Sequence, residues 1–236
     1  MSRDTEALKR ESAARAVEEV ESGMHLGLGT GSTVAHFLDL LAERLAGGEL
    51  ADLVGVPTSV RTADRAEELG IPLGSLERLS PLDLTVDGAD EVAPDLDLVK
   101  GLGGALLREK MVAEASRRMI VVADDSKLVD RLGEKAPLPV EVVPFAWKSH
   151  LPFLEGLGAH PERREDDSGA PYETDNGNFV LDCRFPGGIP DPRGLEESLR
   201  RRTGVVASGL FLGLATRAVV AGAQGVRVLD GGEVRR

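Results

Sequence analysis

From residue 24 to residue 125 the chain alternates short apolar runs with stretches of helical period, and the runs end in glycine, hydroxyl or acidic residues. The runs "MHLGLG" (24–29), "LVGVPTS" (53–59), "LDLTVDGAD" (82–90) and "MIVVADD" (119–125) read as strands. Between them, "STVAHFLDLLAERLA" (32–46), "RTADRAEELG" (61–70) and a stretch from the glycines after Lys100 to about Arg117 read as helices, and another is expected over 4–21. Parallel strands cannot be joined by a tight turn and need a crossover, usually a helix. This alternation therefore predicts βαβ units and a mostly parallel sheet covered on both faces.

The pattern changes after "EKAPLPVEVVPFAW". A strand over 138–143, a helix over 146–157, a hairpin within 161–185 and a helix over 192–204 make a compact α+β insert, after which 204–230 returns to apolar character. The expected architecture is α/β: a Rossmann-like, mostly parallel sheet domain from 1–136 plus 206–236, carrying a smaller ferredoxin-like α+β domain over 137–205. At 236 residues and 25.0 kDa the chain can bury a core of that size.

Composition narrows the function. A formal net charge of −12 argues against nucleic acid and anionic membranes, which need a basic footprint. Cys183 stands alone, so no intrachain disulfide or cysteine metal cluster can form, and in an alternating strand it is expected to be a small buried hydrophobe. The N-terminal stretch has no apolar signal core and no run suits a membrane span, so a cytoplasmic protein is expected. Only six of the 28 basic residues are Lys. Either Lys is kept where a compact, tunable ammonium is needed, or the scarcity is compositional bias.

Four stretches can carry chemistry. "GLGTGSTVAH" (27–36) is a glycine-rich strand-to-helix turn with hydroxyls at Thr30, Ser32 and Thr33. It fits neither the dinucleotide fingerprint nor the P-loop, and suits the phosphate of a small monoester or else is a capped turn. "VDGADE" (86–91) sets Asp87 and Asp90 after a strand, where ligands of open α/β sheets gather, or is plain turn chemistry. In "KGLGGALLREK" (100–110), a helix starting near Gly103 would expose its first N–H groups as an oxyanion hole. Glu109 would then lie roughly 9 Å up the axis. "ADDSKLVD" (123–130) opens a helix with Lys127, which could meet a substrate or pair with Asp124 or Asp125. The four His show no metal-ligand spacing and His36 reads as a core or capping residue. The chemistry left is carboxylate, lysine and backbone N–H, with no metal and no cofactor. That suits proton abstraction beside a carbonyl, with an enediolate held by fixed dipoles.

"GLGTGST", "VDGADE", "KGLGGALLREK", "ADDSK" and "LPVEVVPF", in that order and spread over nearly the whole chain, resemble type A ribose-5-phosphate isomerase. The resemblance implies metal-free interconversion of ribose 5-phosphate and ribulose 5-phosphate through a cis-enediolate, in the non-oxidative pentose phosphate pathway, by a homodimer or homotetramer whose partner is a sugar phosphate. It implies Glu109 as the base, with Asp87, Asp90 and Lys100 assisting ring opening and holding hydroxyls. It also implies substrate contacts from Lys9, Thr30, Gly31, Ser32, Thr33, Gly88, Ala89, Gly101, Leu102, Gly103 and Lys127, with the amides of 101–103 facing the enediolate oxygen. Many members carry three consecutive glycines where this chain has Leu102, so a Leu must accept that backbone with its side chain turned away. The alternatives are an aminosugar-phosphate deaminase, which calls for a His near the acids, and a non-catalytic sugar-phosphate sensor, which calls for a DNA-binding element.

Overall fold

The structure is a computed structural model that describes residues 5–231. Asp4 of the expected first helix, and residues 1–4 and 232–236 of the expected larger domain, lie outside the described residues. In chain order the elements are α1 (Thr5–Val17), β1 (His25–Leu28), α2 (Ser32–Ala46), β2 (Val54–Pro57), α3 (Val60–Glu68), α4 (Leu76–Leu79), β3 (Leu84–Gly88), β4 (Glu91–Val92), β5 (Leu98–Val99), α5 (Leu106–Glu114), β6 (Met119–Asp124), β7 (Leu138–Val142), α6 (Leu151–Gly156), β8 (His160–Arg163), β9 (Phe179–Arg184), α7 (Pro192–Arg200), β10 (Val205–Ser208), β11 (Leu210–Phe211), β12 (Arg217–Gly222) and β13 (Gly225–Asp230). Short 3₁₀ turns cover Asp125–Lys127 and Trp147–His150.

The chain packs as two units, residues up to 89 with 108–127 and from 213 on, and residues 90–107 with 128–212. The first unit is the expected α/β layer structure. Its sheet runs β13-β12-β6-β3-β1-β2, parallel throughout except for the antiparallel edge strand β13. Side chains alternate across it. Leu26, Leu28, Leu84, Val86, Ile120, Val122 and Val219 join Phe37, Leu41 and Ala13 in one core. On the opposite face, Val112 of α5 packs against Gly27, and Ser116, just beyond α5, bonds the Thr85 hydroxyl at 2.6 Å. Only a glycine fits at 27, since a Cβ there would stand 1.9 Å from Thr85 Oγ1.

The second unit contains a four-stranded antiparallel sheet in the order β10-β7-β9-β8, the split βαβ arrangement expected of a ferredoxin-like insert. Leu138, Val140, Val142, Leu181, Cys183, Leu195 and Leu199 share its core. Burial pushes the Cys183 thiol far above its ordinary range, as befits a core residue. A second small sheet, β11-β5-β4, belongs to the same unit.

The units divide elsewhere than at 136/137 and 205/206. Residues 90–107 and 128–136 pack with the smaller unit because β5 pairs with β11. The buried Glu91 carboxylate also gathers the N–H groups of Gly133, Lys135 (2.6 Å) and Ala136 (2.7 Å). Residues 205–208 form β10 of the small sheet, so the return to the first unit begins at Gly213. Three helix expectations change as well. The stretch 146–157 starts at Ala146 with φ 52, passes through the 3₁₀ turn and becomes helical only at Leu151. Lys127 ends a 3₁₀ turn instead of opening an α-helix, because Asp124 Oδ1 draws the Ser126 amide into a tight turn at 3.0 Å. Finally, α5 begins at Leu106 and not near Gly103, because Gly101 and Gly104 adopt φ of 106 and 80 and close a turn through a 3.0 Å bond from Gly104 N–H to Gly101 O.

His150 is 2% exposed and its ring packs against Gly204. Burial first, and then the charge of Arg202, hold its imidazole below the ordinary range. Below about pH 6.5 the unfolded chain takes up a proton that the folded chain refuses, so this contribution to stability is complete above that pH and is lost as pH falls. Melting temperatures measured from about pH 7 down to pH 5 should therefore fall less steeply in His150→Gln than in wild type.

Candidate active site

The order of strands in the first unit reverses between β1 and β3, with β2 lying outside β1. In open α/β sheets the loops leaving two such strands part, and ligands bind at their carboxyl ends. The loop after β1 is Gly29–Gly31, and α2 starts at Ser32 with no side-chain cap at Gly31, whose φ is 126. The first bond into the helix runs from Ala35 N–H to Gly31 O at 3.0 Å. The N–H groups of the first turn therefore face outward at the positive end of a 15-residue helix.

Thr30 lies within the fold and not at the loop surface. Its Oγ1 is 2.8 Å from Thr58 Oγ1, 2.9 Å from Ser59 Oγ and 3.1 Å from Thr62 Oγ1. Thr58 and Thr62 in turn donate to the carbonyls of Leu28 (3.0 Å) and Gly29 (2.9 Å). These buried hydroxyls tie the β1–α2 loop to the start of α3, which Ser59 caps by accepting from Thr62 N–H. Of the loop's three hydroxyls, Ser32 is exposed and Thr33 half-buried, while Thr30 serves as the pin.

Asp87 is wholly buried at the end of β3. Its Oδ1 accepts from Thr30 N–H at 3.1 Å and from Gly88 N–H at 2.7 Å, which joins the loops on either side of the reversal. Glu109, 4% exposed, occupies the first turn of α5. It lies one turn before Val112, so it shares that residue's sheet-facing side. Val112 packs against Gly27, whose register partner is Thr85, so Glu109, about 4.5 Å back along α5, stands about one to two strand residues beyond Thr85, toward Asp87.

Lys127 directly follows β6, the neighbour of β3, and makes no ion pair among the described residues. Lys9 pairs with Glu6 at 2.6 Å, and Glu6 also meets His36 Nε2 at 3.0 Å in the second turn of α2. His36 is therefore a surface partner of an acid. Those two hydrogen bonds, Lys9 first, hold the fully exposed Glu6 carboxyl below its ordinary range.

The second unit holds Asp90, Lys100 and the glycine loop. Lys100 is 2% exposed, with its ammonium 5.4 Å from the centre of the Phe211 ring. Asp90 Oδ2 accepts from Leu102 N–H at 2.9 Å. Leu102 keeps an ordinary negative φ and turns its side chain outward, so replacing a glycine there strains nothing. Its amide, expected to face substrate, holds a carboxylate instead.

Residues 54–225 match the family described as Ribose 5-phosphate isomerase A (phosphoriboisomerase A). The ribose-5-phosphate isomerase A of Roseiflexus castenholzii is 54% identical over 227 residues, covering 96% of this chain and 97% of that one. The chain belongs to the ribose 5-phosphate isomerase A family. A solved D-ribose-5-phosphate isomerase in complex with phospho-erythronic acid superimposes with a TM-score of 0.94 at 42% identity, covering 96% of this chain and 99% of that one. The ribose 5-phosphate isomerase of Plasmodium falciparum gives 0.93 at 38% identity, over 95% and 98%. The deaminase and sensor alternatives are not favoured.

Three structural supports were not foreseen from the sequence. Thr58, Ser59 and Thr62 act together only because β2 lies beside β1, although "TSVRT" does carry the signature of a capped helix start. Arg164 reaches the glycine loop from some 60 positions away, as its bonds to Gly101 and Leu102 (sequence separations 63 and 62) record. Glu141, inside "LPVEVVPF", anchors the long hairpin by accepting from Thr174 Oγ1 and Asn178 Nδ2, both at 2.9 Å. Among the described residues no cluster of three or more His, Cys, Asp and Glu could hold a metal ion. Gly29→Ala should be strongly disruptive, because the new Cβ would stand 2.6 Å from Asp87 Cα as well as against its carboxylate. Urea unfolding should show a loss of about 1–3 kcal/mol or more, the cost of overpacking against backbone.

Proposed function

We propose that the chain interconverts D-ribose 5-phosphate and D-ribulose 5-phosphate as an aldose–ketose isomerase, with Glu109 as the base that carries the proton between C2 and C1. The observation that carries this reading is the buried Glu109 carboxylate, on the sheet-facing side of α5 and beyond the level of Thr85 toward the strand-order reversal. A carboxylate in that position can remove a proton from the carbon beside a carbonyl. The electron pair then passes to the carbonyl oxygen, giving a cis-enediolate, and the same carboxyl returns the proton to the neighbouring carbon.

The other roles are those that the family resemblance implies, and the residues' chemistry suits them. The first-turn amides of α2, with Gly31 and the Ser32 and Thr33 hydroxyls, suit the phosphate, and Lys9 and Lys127 add positive charge. Thr30 contributes by holding that loop. Asp87, Asp90 and Lys100 assist ring opening and hold the sugar hydroxyls, with Gly88 and Ala89 lining the turn between the two acids. Lys100 and amides of the Gly101–Leu102–Gly103 loop stabilise the oxyanion. No metal or cofactor is required. The same proposal places the enzyme in the non-oxidative pentose phosphate pathway and in the cytoplasm, in keeping with a lone buried Cys183. Assembly as a homodimer or homotetramer rests on the resemblance.

Glu109→Gln is nearly isosteric but cannot accept a carbon-bound proton at neutral pH. Turnover of ribose 5-phosphate should fall by about a hundred- to ten-thousandfold, the span typical of losing a general base. Exchange of solvent deuterium into C1 of ribulose 5-phosphate should disappear with it, while inorganic phosphate binds as before. A variant keeping more than about a tenth of wild-type turnover would move the base elsewhere.

Ser32→Asp separates the phosphate site from the fold. An acid in the first turn of α2 favours the helix, so the melting temperature should hold or rise. The same charge repels a phosphate, and KM for ribose 5-phosphate should rise by at least about tenfold. The value of kcat at saturation should change little, because the phosphate is held alike in ground and transition states.

A further inference from the structure

Arg164 immediately follows β8 and lies on the face of the small sheet that carries Pro139 and Asp182. Its Nη1 donates to two successive carbonyls of the glycine loop, Gly101 O at 3.0 Å and Leu102 O at 3.1 Å. The remaining edge of the guanidinium meets the Asp182 carboxylate, through Nε to Oδ2 at 2.8 Å and Nη2 to Oδ1. The Tyr172 ring centre lies 5.6 Å from its Cζ. The Tyr172 hydroxyl fills the space beside Gly104, where a Cβ would stand 2.0 Å from it. The Arg164 side chain is only 13% exposed, and these contacts hold it in place.

That grip determines where the loop's amides point. In a trans peptide the N–H lies opposite the C=O, and the cis bond recorded among the described residues is Ser80–Pro81. With the carbonyls of Gly101 and Leu102 turned to Arg164, the N–H groups of Leu102 and Gly103 both turn away from it. Leu102 N–H meets Asp90 Oδ2 at 2.9 Å, so the first peptide plane is fixed at both ends. Gly103 N–H points the same way and has no partner among the described residues. A cation on the carbonyl side also polarises each peptide group and strengthens its N–H as a donor.

We propose that Arg164 is a positioning residue for the isomerisation, setting the two peptide planes of Gly101–Gly103 so that Gly103 N–H is held ready for the enediolate oxygen and Leu102 N–H holds Asp90. Arg164 acts through the loop and does not touch the substrate. The inference rests on the isomerase reading above.

The test is Arg164→Gln, assayed with ribose 5-phosphate and with two inhibitors, a four-carbon phosphorylated aldonic acid whose planar carboxylate mimics the enediolate, and inorganic phosphate. Loss of one oriented oxyanion donor predicts that kcat falls by about a hundredfold. KM should stay within about threefold, since the donor matters mainly as charge develops. Affinity for the aldonic acid should fall by at least about tenfold, as expected for an intermediate mimic, with inhibition by phosphate unchanged. Asp182→Asn keeps the guanidinium but loosens its fork, and should show the same split with a kcat loss of about five- to tenfold. If Arg164→Gln does not fold, this second variant decides. A kcat within about twofold of wild type, or equal losses for the aldonic acid and for phosphate, would overturn the inference. Failure of the isomerase reading would look different, as a wild type inactive on ribose 5-phosphate.

Discussion

The first unit depends on the close approach of β1 and β3 where their loops separate. Gly29 has no side chain, so the buried Asp87 can lie against it and accept Thr30 N–H at 3.1 Å. A buried carboxylate is costly unless donors surround it, and here the donors are the backbone of the loop that must be shaped. The bond from Thr30 N–H gives Asp87 Oδ1 a donor, helps fix the turn that presents the first amides of α2, and ties together the two loops that part at the reversal. The hydroxyls of Thr58, Ser59 and Thr62 hold the same loop from its other side. Together these contacts leave few ways for the loop to relax, as preorganised binding requires.

In the second unit the corresponding problem is a loop rich in glycine, whose flexibility would blur any amide it presents. Opposite charges supply the order. Asp90 takes the amide side of the Leu102 peptide and Arg164 takes the carbonyl side, with Asp182 holding Arg164. Two further buried carboxylates do purely structural work. Glu91 binds three amides of the segment 133–136, and Glu141 anchors the hairpin from which Tyr172 and Arg164 project. The acids of this chain therefore divide by what surrounds them, and residue type alone did not distinguish Glu91 from Asp90 in the stretch "DGADE".

Much of the fold was legible because it is written in local periods. The run Ser32–Ala46 is helical from its first residue to its last as the apolar spacing requires, and the runs at β1, β3 and β6 are buried on both faces as parallel strands must be. The errors fall where a short-range signal competed with a long-range one. Helical spacing after Lys100 suggested a start near Gly103, but the positive φ of Gly101 and Gly104 closes a turn first. The segment 90–99 reads as a continuation of the larger domain until its pairing with β11, more than a hundred residues on, draws it into the smaller unit.

The sequence by itself determined the alternating architecture, the family, and the acids and lysines available for chemistry. These depend on residue type, spacing and order along the chain. Only the tertiary structure decided which donor each of those groups meets. Thr30 looks like a ligand for phosphate but turns inward to other hydroxyls, and the amide of Leu102 looks free but holds Asp90. The reason is physical: a hydrogen bond is a relation between two groups at about 3 Å, and for a buried polar group the partner commonly comes from another element of the fold. Arg164, 62 positions beyond Leu102, is such a partner.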